Sequence, residues 1–219
     1  MCWSATADLV AGGAITAVGV VCVARAARVR PRAVPLAALP LLLGAHQLIE
    51  AAVWHAGGGT GAATLAWAVI ALPLLPLWVP LAVWWAVSGA ARRRLWLPVA
   101  VGAVTSVVLA GVLTTHTVTA EIRGHTMAYA IGLPHAAWLI GGYLVATIGA
   151  LLLSGERALV LLGALVGAGA AVCAALWRWE FVSTWCACAA LCSVLLLGWV
   201  RRGVPAAPRS TNSPPVPRS

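Results

Sequence analysis

Seven apolar runs, each close to the roughly 20 residues needed to cross a hydrocarbon layer, take up almost the whole chain. They lie near 7–25, 33–55, 62–88, 95–114, 134–153, 157–177 and 183–200. The segments between them are short, so little of the chain is left to face water. Of 219 residues, 62% are hydrophobic and only 9% are charged, against about 25% charged in soluble domains. The pattern predicts an all-α membrane protein in which residues 1–202 form a bundle of seven transmembrane helices. The remaining residues, 203–219, are rich in Pro, Ser and Arg and are expected to form a disordered tail.

Arginine placement orients the bundle, because basic loops are retained on the cytoplasmic side. Arg25, Arg28, Arg30 and Arg32 separate the first two runs, and Arg92, Arg93 and Arg94 separate the third and fourth. Arg157, Arg201, Arg202, Arg209 and Arg218 fall on the same side, leaving only Arg123 and Arg178 on the other. The N-terminus is therefore expected outside and the C-terminus in the cytoplasm. Tryptophans agree with this frame, since the indole prefers the headgroup layer. Trp3, Trp54, Trp177, Trp179 and Trp185 map to the outer boundary, and Trp84, Trp85, Trp96 and Trp199 to the inner one. The formal net charge of +9 is thus topological and does not point to nucleic acid. The chain has no lysine, so it cannot form the Schiff base of a retinal protein.

Local features mark where the bundle departs from seven plain rods. Pro73, Pro76 and Pro80 each remove a backbone donor from the third helix and should kink it. Gly163 and Gly167 make a small face on the sixth helix, suited to close packing in the bundle or to a homo-oligomer contact. In the outer loop 115–133, Val118, Ala120 and Ile122 alternate with Thr117, Thr119 and Glu121, a strand pattern. Arg123-Gly124 can turn, and His125 to Tyr129 can return, giving a hairpin lid over the outer mouth.

Acids inside apolar runs are costly, which makes Glu50 the most informative side chain. It lies about five residues, roughly 8 Å, below the outer end of the second helix. His46, Glu50 and Trp54 follow at i, i+4 and i+8 on one stripe, with Gln47 beside them. This arrangement reads as a polar pocket, as a metal site, or as a hydrogen-bond network that fixes helix packing. His125 could complete a metal set with His46 and Glu50, yet none of the usual paired-histidine spacings is present. Cys2 and Cys186 both map to the outer side, where they could form a disulfide, share a metal or simply pack. The other cysteines read as small apolar packing residues.

Four segments, taken in order, resemble a family of bacterial integral membrane proteins of unassigned function. Met1-Cys2-Trp3-Ser4-Ala5 is similar to that family's Met-Cys-Phe-Ser-Ala start. His46-Gln47-Leu48-Ile49-Glu50 followed by Trp54 resembles its Gln-Gln-x-x-Glu-Gly-x-x-Trp segment. Gly124-His125-Thr126-Met127 with Tyr129, and Phe181-Val182-Ser183-Thr184-Trp185-Cys186, resemble its Gly-His-Ser-Ile-x-Tyr and Phe-Val-Ser-x-Trp-Cys segments. His46 and Ala51 depart from the pattern, standing where Gln and Gly are expected. The resemblance implies architecture rather than activity. The matched residues cluster in the outer half, so the outer mouth is the expected site, with Gln47, Glu50, Trp54, His125 and Tyr129 as ligand-binding residues.

The function expected is binding or sensing of a small ligand or metal ion at that mouth, in the cytoplasmic membrane of a bacterium. Alternatives are a membrane-embedded metal hydrolase, a haem or other redox protein, a transporter and an accessory subunit. Topology offers the first test. A reporter fused to the C-terminus should be active only in the cytoplasm; activity outside would break the seven-span count, because helix number and terminal side are linked.

Overall fold

The structure is a computed structural model, and it describes residues 4–176 and 180–202. Cys2, Trp3, Trp177, Arg178, Trp179 and the tail from 203 lie outside the described residues, and with Cys2 the choice between disulfide, shared metal and packing at Cys2 and Cys186.

Seven helices are long and apolar enough to cross a membrane: α1 (Ala5–Val29), α2 (Pro31–His55), α3 (Ala62–Ala86), α4 (Gly89–Thr115), α5 (Ala136–Leu153), α6 (Arg157–Leu176) and α7 (Phe181–Arg201). This is the build of a multi-pass membrane protein. Strands β1 (Thr119–Arg123) and β2 (Thr126–Ala130) form an antiparallel hairpin between α4 and α5. Arg123 pairs with Thr126, so Gly124 and His125 make a two-residue turn. Gly124 has φ +60, a conformation glycine adopts without penalty. Ala120 and Met127 are buried, whereas Ile122 is exposed, so the apolar face of β1 ends before the turn.

Helices α2 and α3 form the centre, with 61% and 56% of their most apolar windows buried, against 22–44% for the other five. Around them α1 packs on α2 and α7, α4 on α3 and α5, and α6 on α5 and α7. Glycines set the tightest approach. A methyl at Gly19 would overlap the Leu41 backbone, and one at Gly44 would overlap Thr16. Gly163 lies against Leu151 and Leu152, and Gly167 against Ile148, so the small face of α6 receives α5. Trp185 was expected at the outer boundary but faces inward. It is buried, and its Nε1 donates to the Val166 carbonyl at 3.1 Å, which gives the indole its partner without water.

The three prolines of α3 shape the middle of the bundle. Residues Ile70–Leu74 form a π-helical turn, and the Leu75 N–H bonds to the Ile70 carbonyl five residues back. In that register the next donor in line is Pro76, which has none. The Ala71 carbonyl is instead taken by Tyr143 Oη of α5 at 2.7 Å. Ser106 Oγ of α4 donates to the Pro73 carbonyl at 2.6 Å. The Pro76 carbonyl would normally accept from residue 80, also a proline; there Gly102 brings the α4 backbone against it.

A methyl at position 102 would overlap the Pro76 oxygen, whereas Gly111 on the same helix has open space. Gly102→Ala should therefore cost about 1–3 kcal/mol by overpacking. Gly111→Ala should be neutral or slightly stabilising, since alanine is the better helix former by about 1 kcal/mol. Thermal unfolding of the two variants in one detergent checks this, and equal stability would contradict the close α3–α4 approach.

Candidate functional site

The polar residues of α2 converge just below the hairpin. His46, Gln47 and Glu50 are all fully buried, because α2 is enclosed by α1, α3 and α7. Glu50 sits five residues from the end of α2 at His55, and its two carboxylate oxygens reach different helices. Oε1 accepts a short hydrogen bond from Ser183 Oγ, in the first turn of α7. Oε2 accepts from Trp67 Nε1 of α3 at 3.4 Å. The amino end of a helix carries partial positive charge, so the start of α7 suits an acceptor such as this carboxylate. One side chain thereby ties three helices together.

Trp67 carries the site up to the hairpin. Its ring lies parallel to that of Tyr129 on β2, with centroids 3.4 Å apart and planes 5° apart. It also meets the His46 ring at 5.0 Å, tilted by 31°. The hairpin is held over this stack by the loop after α2. Gly59 and Ala120 exchange backbone hydrogen bonds of 2.7 and 3.1 Å, and the Gly58 N–H bonds to the Val53 carbonyl at 3.0 Å. Gly58 has φ +79, and a side chain there would crowd the Ala120 oxygen. The hairpin is thus stitched to the end of the helix that carries Glu50.

Four polar atoms stand apart. Both ring nitrogens of His46, and both Oε1 and Nε2 of Gln47, are buried and meet no hydrogen-bond partner among the described residues. Each such atom costs about 1–3 kcal/mol if it stays unmet, and native interiors keep few of them. Asp8, in the first turn of α1, is fully buried as well. Gly12 lies against Gly44 and Leu48, so the antiparallel register puts Asp8 within about one helical turn of the level of Glu50.

Other expected residues fall elsewhere. His125 is exposed at the hairpin turn, away from the buried stripe that holds His46 and Glu50. Among the described residues no group of three or more His, Cys, Asp or Glu is placed to hold a metal ion. Trp54 is half-buried and packs with Tyr129 beside Val53, Ala120 and Met127. Cys186 is buried one turn beyond Ser183 and is bridged to none of the described cysteines. Sequence reasoning did not single out Ser183, Trp67 or Asp8 as site residues. Ser183 lay within a quoted motif, and Asp8 carried the same signal as Glu50, an acid in an apolar run. Nothing distinguished Trp67 from the other tryptophans.

Fold and site together define a seven-helix apolar bundle whose core carboxylate is covered by a β-hairpin. None of the curated proteins or solved structures compared with the chain matches it. Residues 1–211 match the Family of unknown function DUF6629, and the chain belongs to that family.

Removing the Glu50 side chain strands the Ser183 hydroxyl and the Trp67 N–H together. Glu50→Ala is expected to lower stability by about 2–5 kcal/mol, taking about 1–3 kcal/mol per stranded buried group. Glu50→Gln keeps acceptor oxygen for one donor and should lose less than half as much. Thermal unfolding of both variants in detergent tests the hub; wild-type stability in both would mean that the carboxylate ties nothing together.

Proposed function

We propose that the protein lies in the bacterial cytoplasmic membrane, with the hairpin outside and the arginine-rich end in the cytoplasm, and binds or senses a small ligand at the hairpin end. The ligand sits among His46, Gln47 and Glu50, and the hairpin, through Tyr129, covers it. The observation that carries this reading is the set of four buried, unpartnered polar atoms of His46 and Gln47 on the helix face next to Glu50. Those atoms define the ligand chemistry. Gln47 presents one acceptor and one donor group, and a neutral imidazole does the same. A compact molecule or ion carrying both donors and acceptors, such as a hydroxylated or amino-bearing compound, meets all of them at once. A metal ion would have two strong ligands here, His46 and Glu50, fewer than the three or four of a typical protein zinc site.

Entry requires the Tyr129–Trp67 stack to part. The segment that would move is the hairpin, whose return to α5 passes through Gly132 at positive φ, once the Gly59–Ala120 hydrogen bonds release it. Binding is then sensed as a change in how the hairpin rests on α3 and α7.

Native mass spectrometry of the full chain, combined with metal analysis, tests the reading. Wild-type protein should carry a small bound mass that Gln47→Leu loses. Absence of both adduct and metal in wild type, together with higher stability of Gln47→Leu, would show a dry packing network and end the ligand proposal.

A further inference from the structure

The opposite end of the bundle holds a second polar feature, unrelated to Glu50. A groove of about 550 Å³ opens between the start of α2 and the α3–α4 junction, lined by Pro31, Arg32, Val34, Pro35, Trp85 and Arg92. Among the described residues, neither Arg32 nor Arg92 meets a carboxylate. Arg92 is nonetheless held in place. Its guanidinium carbon lies 3.6 Å from the centroid of the Trp84 ring, and Trp84 is braced edge-on by Trp96 at 6.0 Å. Arg92 Nε is buried and has no acceptor among the described residues. An arginine fixed on an indole keeps its planar fork oriented and loses less freedom on binding than a solvated one.

From this geometry we infer that the groove binds the phosphate of an anionic glycerophospholipid. The inference rests on the membrane-spanning part of the reading above and not on the Glu50 site. Two forks from separate segments, Arg32 and Arg92, suit the unesterified oxygens of a phosphodiester. A lipid fits better than a free phosphate because the other walls are apolar. Pro31, Val34 and Pro35 line one side, and Trp85, half exposed at 51%, forms the other. These walls are placed for the glycerol and upper acyl groups, at the level where helix ends meet headgroups. Basic pockets between helices at the cytoplasmic face are a recurrent form of anionic-lipid site.

Lipid titration followed by native mass spectrometry, using the full chain in a neutral detergent, tests the assignment. Wild type should retain phosphatidylglycerol in preference to phosphatidylcholine. The Arg32→Gln, Arg92→Gln double variant should lose that preference on the order of tenfold, as expected for two arginines near an anionic headgroup. Arg93→Gln, Arg94→Gln removes two exposed charges beside the groove and should keep it. Arg92→Lys, which preserves charge and fold, should lose most of the preference if the fork matters. Equal loss in both double variants would mean general electrostatic attraction and overturn the site. Displacement of the lipid by excess inorganic phosphate would overturn the lipid assignment in favour of a soluble phosphate. No preference in wild type would end this inference while leaving the adduct test at Gln47 unaffected.

Discussion

An apolar bundle must satisfy its own backbone, because no water in its interior will do so. The span that depends most on its neighbours for this is α3, with three prolines in its interior. Pro73, Pro76 and Pro80 delete three N–H groups at spacings of three and four, so carbonyls are left without partners around successive turns. The π-helical register at Ile70–Leu74 moves the deficit without removing it. Tyr143 of α5 and Ser106 of α4 supply hydroxyl donors, and Gly102 lets the α4 backbone close against the Pro76 carbonyl. The positions of α4 and α5 against α3 follow from that requirement. A helix with a complete internal ladder would tolerate many neighbours and rotations, whereas this one accepts those that bring donors to Ala71 and Pro73.

The same rule, applied to side chains, organises the hairpin end. A carboxylate within a helix core is unfavourable unless its oxygens are met, and removing a partner costs more than the pair contributes. Glu50 resolves this with one donor from α7 and one from α3. The hairpin then closes over Trp67 with the flat face of Tyr129, which keeps competing solvent from those bonds. Glu50 thus does for α2, α3 and α7 what Tyr143 and Ser106 do for α3, α4 and α5. Its neighbours His46 and Gln47 break the rule, their polar atoms meeting no partner among the described residues.

How much of this could be read beforehand depends on the range of the interaction involved. The seven spans are local in composition, and each apolar run became one helix. The α4 span starts earlier than its apolar run, because Gly89–Arg94 is helical through its arginines. The hairpin was legible in the alternation from 117 to 122. Glu50, Gln47 and His46 stood out because polar groups in an apolar run are rare, and they are buried. His125 was assigned to the site from its motif; the two-residue turn places it at the exposed tip, and period-two patterning cannot say which way a tip points. Ser183 was not legible as a partner of Glu50, 133 residues away, because a serine near the start of a span usually serves the span itself. Trp185 shows the same limit. A boundary tryptophan and a core tryptophan look identical until a carbonyl such as that of Val166 is seen to take the N–H.

Tyr143 meets α3 at Ala71, between Trp67 beside Glu50 and Trp84 beside the arginine groove. Besides its bond to Ala71, its ring meets Trp185 edge-on at 5.5 Å, and it lines two apolar cavities of about 50 and 60 Å³. One lies among α2, α3, α5, α6 and α7, the other among α3, α4, α5 and α7. A second π-helical segment, Val145–Gly149, begins two residues later, and Thr147 Oγ1 donates to the Tyr143 carbonyl at 2.8 Å. Packing gaps and register changes therefore coincide on one residue at mid-height. Interiors packed at crystal density resist shear, so a bundle yields first where contacts are already missing. A shift of α3 under the hairpin would be taken up at Ile70–Leu74, where the ladder is already interrupted, before it reached Trp84 and the arginine groove. Such a joint separates the Glu50 end of α3 from the arginine groove, because Tyr143 and Ser106 anchor α3 to α5 and α4 at that level.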